Sequence, residues 1–215
     1  MRLTLIGPPG SGKGTLAAWI APKLRLPPIH VGTLLRRQTA EATPLGRAAE
    51  AFLRRGDLVP DRLVTELVLE RLGEPDCASG FVLDGFPRTI DQAEALDRYL
   101  EARDTTLDAA CYLKVPDDEL WRRLRGRGRL DDEEWVIRHR LAVFASQTRP
   151  VIDHYRDRGR LVVVDAVGPP EVVGERILNG VAALAGRAGT TGRRPQFRSG
   201  LGVLSKEDQS SKERR

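Results

Sequence analysis

An α/β fold with a parallel sheet and helices on both faces is predicted by two observations. Short apolar runs of strand type alternate with helical patterns along most of the 215 residues, and a glycine-rich loop stands directly between the first strand and the first helix. The strand runs fall at 2–6, 29–31, 80–83, 109–115 and 160–164. Helical patterns occupy 13–24, 61–72, 89–102, 117–125 and 132–158, with a further helical stretch inserted between Gly32 and Val59. Pro22 is expected to kink or shorten the first helix near its end, because it has no N–H to give. No internal repeat is visible.

The loop itself reads Gly-Pro-Pro-Gly-Ser-Gly-Lys-Gly-Thr from residue 7 to residue 15. Gly7, Gly10, Gly12 and Gly14 let the backbone come close to phosphate oxygens, which a Cβ would block. Their N–H groups and the helix N-terminus behind them form an anion cradle, and Lys13 adds a mobile positive charge. A mere connecting turn explains neither the four glycines nor the lysine at that offset. Gly14 stands where the strict phosphate-loop signature has a metal-binding hydroxyl, and Thr15 follows one place later. Such a loop serves GTPases, ATPases and small-molecule kinases alike, so a second motif must decide.

That motif is Asp84-Gly85-Phe86-Pro87-Arg88-Thr89-Ile90-Asp91-Gln92. It follows a short buried strand, which sets Asp84 at the strand's C-terminal end, the edge where open α/β sheets bind ligands. A carboxylate there can hold a hydrated Mg²⁺ facing the loop. Arg88 follows a proline that stiffens the turn, and its planar fork suits bidentate phosphate contact. Gln92 carries a donor and an acceptor side by side, which reading a base edge requires.

With these residues the sequence resembles the adenylate kinase family of nucleoside monophosphate kinases, in its short-lid form. The matching pieces are residues 7–15, Gly32-Thr33-Leu34-Leu35-Arg36, Gly56-Asp57-Leu58-Val59, residues 84–92, and Arg129-Leu130-Asp131-Asp132 with Arg140. They stand in the family's order over about residues 1–180. The resemblance implies a P-loop NTPase-type sheet of five parallel strands within a kinase domain of residues 1–186, a monophosphate-binding insert at about 30–59 and a very short lid at about 127–131. It implies Mg²⁺-dependent, reversible phosphoryl transfer from ATP to AMP giving two ADP, with no structural zinc.

The residue roles follow from the same resemblance. Gly10, Ser11, Gly12, Lys13, Gly14 and Thr15 hold the ATP phosphates, with Arg123 and Arg127 facing ATP and Val167 and Gly168 beside its adenine. Asp84 orders the water shell of Mg²⁺. Arg36 and Arg88 hold the AMP phosphate and Gln92 reads adenine, while Val31, Asp57, Leu58, Val59, Gly85, Phe86 and Pro87 line the AMP site. Arg129 and Arg140 bridge both phosphate chains, so Lys13, Arg88, Arg123, Arg129 and Arg140 form the catalytic set. The attacking phosphate oxygen is already an anion, so alignment and charge stabilisation suffice without a general base. Arg122, Arg125 and Arg138 read more simply as a solvated helical face with intrahelical ion pairs.

Four features depart from the family pattern. Leu16 replaces a glutamine, and His30-Val31-Gly32-Thr33 replaces Ser-Thr-Gly-Asp, which removes a hydroxyl at Val31 and a carboxylate at Thr33. Only Gly128 separates Arg127 from Arg129, which shortens the lid. A UMP/CMP-type kinase and a catalytically weak nucleotide-binding regulator are the alternatives these departures leave.

Composition narrows the class further. With 40% hydrophobic residues, the chain can bury one sizeable core. Its net charge of +5 comes from residues 187–215, where eight basic residues face three acidic ones, and the first 186 residues balance at 27 of each sign. A globally basic nucleic-acid binder is thereby excluded, and the tail's Gly, Ser, Thr and Arg content predicts no fold. Cys77 and Cys111 have neither metal-ligand nor disulfide spacing. No apolar run approaches the ~20 residues of a membrane span, and the chain enters a strand with no signal-peptide pattern. A monomeric, reduced, cytoplasmic enzyme is the resulting expectation.

Overall fold

The computed structural model describes residues 1–126 and 133–189. The expected lid at 127–131, with Arg127 and Arg129, and residues 190–215 of the tail lie outside them. Five parallel strands, β1 (Arg2–Ile6), β2 (Pro28–His30), β3 (Phe81–Asp84), β4 (Ala109–Lys114) and β5 (Leu161–Asp165), stand in the order β2-β3-β1-β4-β5. The two-residue period of the strands divides their side chains between two cores. Leu3 and Leu5 of β1, Val82, Cys111 and Leu113 face α1 (Lys13–Leu24) and α9 (Pro170–Gly189). Ile6, Phe81, Leu83 and Ala110 face α4 (Asp61–Leu72), α5 (Ile90–Glu101) and α8 (Arg149–Asp157). A sheet buried on both faces explains why the strands read as nearly continuous apolar runs.

Adjacent β1 and β3 send their chains to opposite faces, β1 into α1 and β3 into α5. A crevice opens at such a switch point beyond the carboxyl ends of the strands. The insert that closes one side of it is α2 (Val31–Ala40) and α3 (Pro44–Arg55), with α7 (Glu134–Val143) against its end at Gly56 and Asp57, and α6 (Asp117–Arg125) stands beside the glycine-rich loop. Thr43 caps α3 by accepting from Gly46 N at 3.0 Å, with Pro44 in the first turn, and Gly56 ends it at φ +77°.

Several expected boundaries move. β2 starts and ends one residue earlier than expected, so Val31 opens α2 and is no longer a strand residue. β3 and β5 also shift by one, and Thr89 caps α5 by accepting from Gln92 N at 3.3 Å. α1 keeps its expected bounds, with Pro22 in the last turn before Leu24, and it closes with Leu26 N donating to Ala21 O at 2.9 Å. The single helix expected over 132–158 is α7, a π-helical turn at Phe144–Thr148, and α8. Periodicity alone does not register one extra residue in a turn. Finally, α9 runs to Gly189, past the point where composition begins the tail.

Candidate active site

The loop after β1 has the conformation its glycines permit. Gly10 and Gly12 lie at φ +85° and +89°, and a Cβ on Gly10 would come within 2.9 Å of Leu124 Cγ. Lys13 folds back over the loop, its Nζ donating to Gly7 O at 2.7 Å and Pro8 O at 2.9 Å. The ammonium is thus held in the loop's concavity, beside the N–H groups that open α1.

Asp84 ends β3 against that loop. A Cβ on Gly14 would lie 3.2 Å from Asp84 Oδ2, so a larger residue at this position would crowd the carboxylate. His30, at the end of β2, pairs with Asp84 in the sheet register, and its Nδ1 stands 3.1 Å from Asp84 Oδ2. Burial pushes the Asp84 carboxyl upward, but the His30 hydrogen bond and the charges of Lys13 and Arg88 outweigh it and hold it below the ordinary range. The bond to Asp84 raises the His30 imidazole. Asp84 is a single ionised carboxylate facing a phosphate cradle, and among the described residues no three His, Cys, Asp or Glu side chains form a cage. That donor set fits Mg²⁺ carried on nucleotide phosphates, held through its water shell.

The insert and the turn after β3 bring the other cations. Arg88 donates from Nε to Gly85 O at 3.0 Å, and Gly85 itself needs φ +88°. Arg36, exposed on α2, donates to Thr33 Oγ1 at 3.1 Å. Arg140 lies across Gly56, where a Cβ would meet its Cγ at 3.0 Å. Arg88 feels the opposite charge of Asp84 and the like charge of Arg140. On α6, Arg123 is fixed at both ends of its fork, by Glu119 Oε1 at 2.6 Å and Ala166 O at 3.0 Å. Arg122 and Arg123 together hold the Glu119 carboxyl down to about 2.

These groups line one cleft of about 710 Å³ that contains Gly10, Gly12, Lys13, Gly14, Thr15, Val31, Arg36, Asp57, Leu58, Val59, Asp84, Gly85, Pro87, Arg88, Gln92, Arg123 and Arg140. A second hollow of about 540 Å³ adjoins it through Gly12, Thr15 and Arg123, and adds Ser11, Val167 and Gly168. Phe86 is the exception. Its side chain is fully buried in the core, and its carbonyl accepts from Thr4 Oγ1 at 2.5 Å, so it supports the turn and does not line the cleft. Asp57 lines the cleft, and its carboxylate accepts from Arg55 Nε at 2.8 Å and stands 2.6 Å from His139 Nε2.

Three participants are absent from the sequence-derived site. His30 enters there only as a departure from a family pattern, Asp61 only as the start of a helix, and His139 not at all. The signal for His30 was its place at a strand end beside Asp84. Asp61 and His139 reach their partners across 31 and 82 residues, and no local pattern encodes such pairs.

Known proteins resemble the chain over most of its length. A family model described as adenylate kinase matches residues 5–160. The adenylate kinase of Nocardia farcinica is 47% identical over 178 residues, covering 83% of this chain and 97% of its own. That of Mycolicibacterium smegmatis is 48% identical over 179 residues, covering 83% and 98%. That of Mycobacterium tuberculosis strain H37Rv is 48% identical over 178 residues, covering 83% and 97%. The chain belongs to the adenylate kinase family.

Proposed function

We infer that the chain transfers the γ-phosphoryl group of ATP reversibly to AMP, giving two ADP. One observation carries the reading: Lys13, Arg36, Arg88, Arg123 and Arg140 converge on a single cleft whose only two acidic lining residues, among those described, are Asp57 and Asp84. Two nucleotides bring roughly six negative charges together, and clustered cations offset that repulsion. A site for one nucleotide would not need cations on both walls.

In this reading an oxygen of the AMP phosphate forms the new bond to the γ-phosphorus as the bond to the β-phosphate oxygen breaks. Loop N–H groups from Gly10 to Thr15 bind the ATP phosphates, and Lys13 exchanges its loop carbonyls for phosphate oxygens. Arg36 and Arg88 orient the acceptor phosphate, and Arg123 and Arg140 stabilise charge that grows on the transferring group. The family resemblance adds Arg127 and Arg129, outside the described residues, to the same set of phosphate cations. Mg²⁺, when bound through water to Asp84, supplies charge neutralisation on the phosphate oxygens. All these residues come from one chain, so the reading needs no second copy.

A coupled assay with ATP and each of AMP, CMP, UMP and GMP tests it. AMP is the expected best acceptor, by a margin that Val31→Thr widens. Better turnover of CMP or UMP would replace the reading with a pyrimidine monophosphate kinase.

A further inference from the structure

Gln92 is 1% exposed in the lining of the cleft, and both ends of its amide are held by partners that leave no choice of orientation. Oε1 accepts from Arg88 N at 2.8 Å, and a backbone N–H can only donate. Nε2 donates to Asp61 Oδ1 at 2.7 Å, and a carboxylate can only accept. Turning the amide over would set oxygen against carboxylate and N–H against N–H. Asp61 is itself fixed, because Thr89 Oγ1 donates to its Oδ2 at 2.6 Å. It also stands in the first turn of α4, where the helix dipole favours negative charge.

We propose that Asp61 is a specificity-determining positioning residue, which locks the Gln92 amide so that the acceptor must present an amino group beside an unprotonated ring nitrogen. This rests on the acceptor site proposed above. Each amide atom keeps one further bonding position, an acceptor at Oε1 and a donor at Nε2. A 6-aminopurine meets them with its 6-amino donor and its N1 acceptor. A 6-oxopurine offers an O6 acceptor and an N1–H donor, the same sign at both points. A free glutamine would turn over to suit it. A locked one leaves two buried polar groups opposed, and sites of that kind reject the mismatched analogue strongly. A 4-aminopyrimidine carries the same pattern as adenine, so rejecting CMP falls to the size and shape of the pocket.

AMP and IMP differ at this edge alone and form the test. The unaltered chain is expected to favour AMP over IMP in kcat/KM by at least ~100-fold. Asp61→Asn keeps the shape, but its own amide can face either end of Gln92. It should raise the IMP-to-AMP ratio by ~10-fold, through the KM for IMP. A residue that served only folding would lower both acceptors together and leave the ratio fixed. An unchanged ratio in Asp61→Asn, or equal use of the two by the unaltered chain, overturns the lock and leaves the kinase reading standing. An unaltered chain that phosphorylates neither removes both. Should Asp61→Asn fail to fold, calorimetric titration of the unaltered chain decides: IMP binding ~30-fold weaker than AMP supports the lock, and equal binding overturns it.

Discussion

The two walls of the cleft are built by different means. On the loop wall the groups proposed to meet ATP are mostly backbone N–H, in a loop held by glycines at positive φ and by one lysine folded onto carbonyls. On the acceptor wall they are side chains wired to one another: Gln92 to Asp61, Asp61 to Thr89, Asp57 to His139 and Arg36 to Thr33. A backbone cradle recognises phosphate in any nucleotide, because every residue carries the same N–H. Identity has to be read by side chains, and a side chain reads reliably only when something else holds it still. The walls should therefore fail differently.

The largest effect is expected where both walls do the same work, on phosphate charge. Lys13→Ala and Arg88→Ala should each lower kcat/KM by at least ~100-fold, about 2.7 kcal/mol of barrier, with the circular dichroism spectrum unchanged. Near-normal turnover by either would break the assignment of both walls.

Glycine substitutions separate them. A Cβ on Gly46 would lie 2.0 Å from Gln38 O and 2.6 Å from Thr39 N, so Gly46→Ala forces α2 and α3 apart. It should destabilise by about 2–4 kcal/mol and raise the KM for AMP while sparing that for ATP. Gly10→Ala strains the loop at φ +85° and presses on Leu124. It should destabilise by about 1–3 kcal/mol and raise the KM for ATP first. Identical KM changes in both variants would erase the distinction between the walls.

A smaller effect tests the wiring at Asp57. Arg55 and His139 hold its carboxyl below the ordinary range. A carboxyl lowered on folding adds stability above its unfolded pKa of about 3.9, and that contribution is lost as pH falls through the folded value. The stability difference between the unaltered chain and Asp57→Asn should thus be steady at neutral pH and shrink from about pH 5 to pH 3 in denaturant titrations. Because the pair is partly exposed, salt should weaken it as well.

The smallest effect concerns the two core thiols. Burial pushes Cys111 up to about 12 and Cys77 up to about 11. A raised thiol pKa leaves little thiolate at pH 8, so a disulfide reagent should label neither in the folded protein and both after unfolding. Any native labelling is expected at Cys77 first.

What could be read from sequence follows the same division. The sheet, the loop and the strand-end Asp84 are local: each is encoded by contiguous residues whose period, glycines or position imply the structure. The cations that line the cleft were also named from sequence, Lys13, Arg36 and Arg88 inside contiguous motifs and Arg123 and Arg140 through the family resemblance. The acceptor-wall wiring was not, since Asp61 and Gln92 meet only after two helix N-termini are packed together. Phe86 shows the converse error. It belongs to a functional motif by position, yet its side chain serves the core. The π-helical turn was invisible because one extra residue in a turn leaves no mark in the apolar period.

That turn has a consequence for how the molecule tolerates change in length. It joins α7, which carries His139 and Arg140, to α8, whose Val151 and Tyr155 are fully buried. Each residue in a helix advances the phase by about 100°. The direction in which Arg140 points relative to the anchored α8 is therefore set by an integer, the number of residues between them in regular helical turns. The π-helical turn absorbs one extra residue, so deleting one residue inside Phe144–Thr148 would restore ordinary helix and keep Arg140 facing the cleft. Deleting one from the regular turns of α7 beyond Arg140, or of α8 before Val151, would instead swing the guanidinium away with the π-helical turn intact.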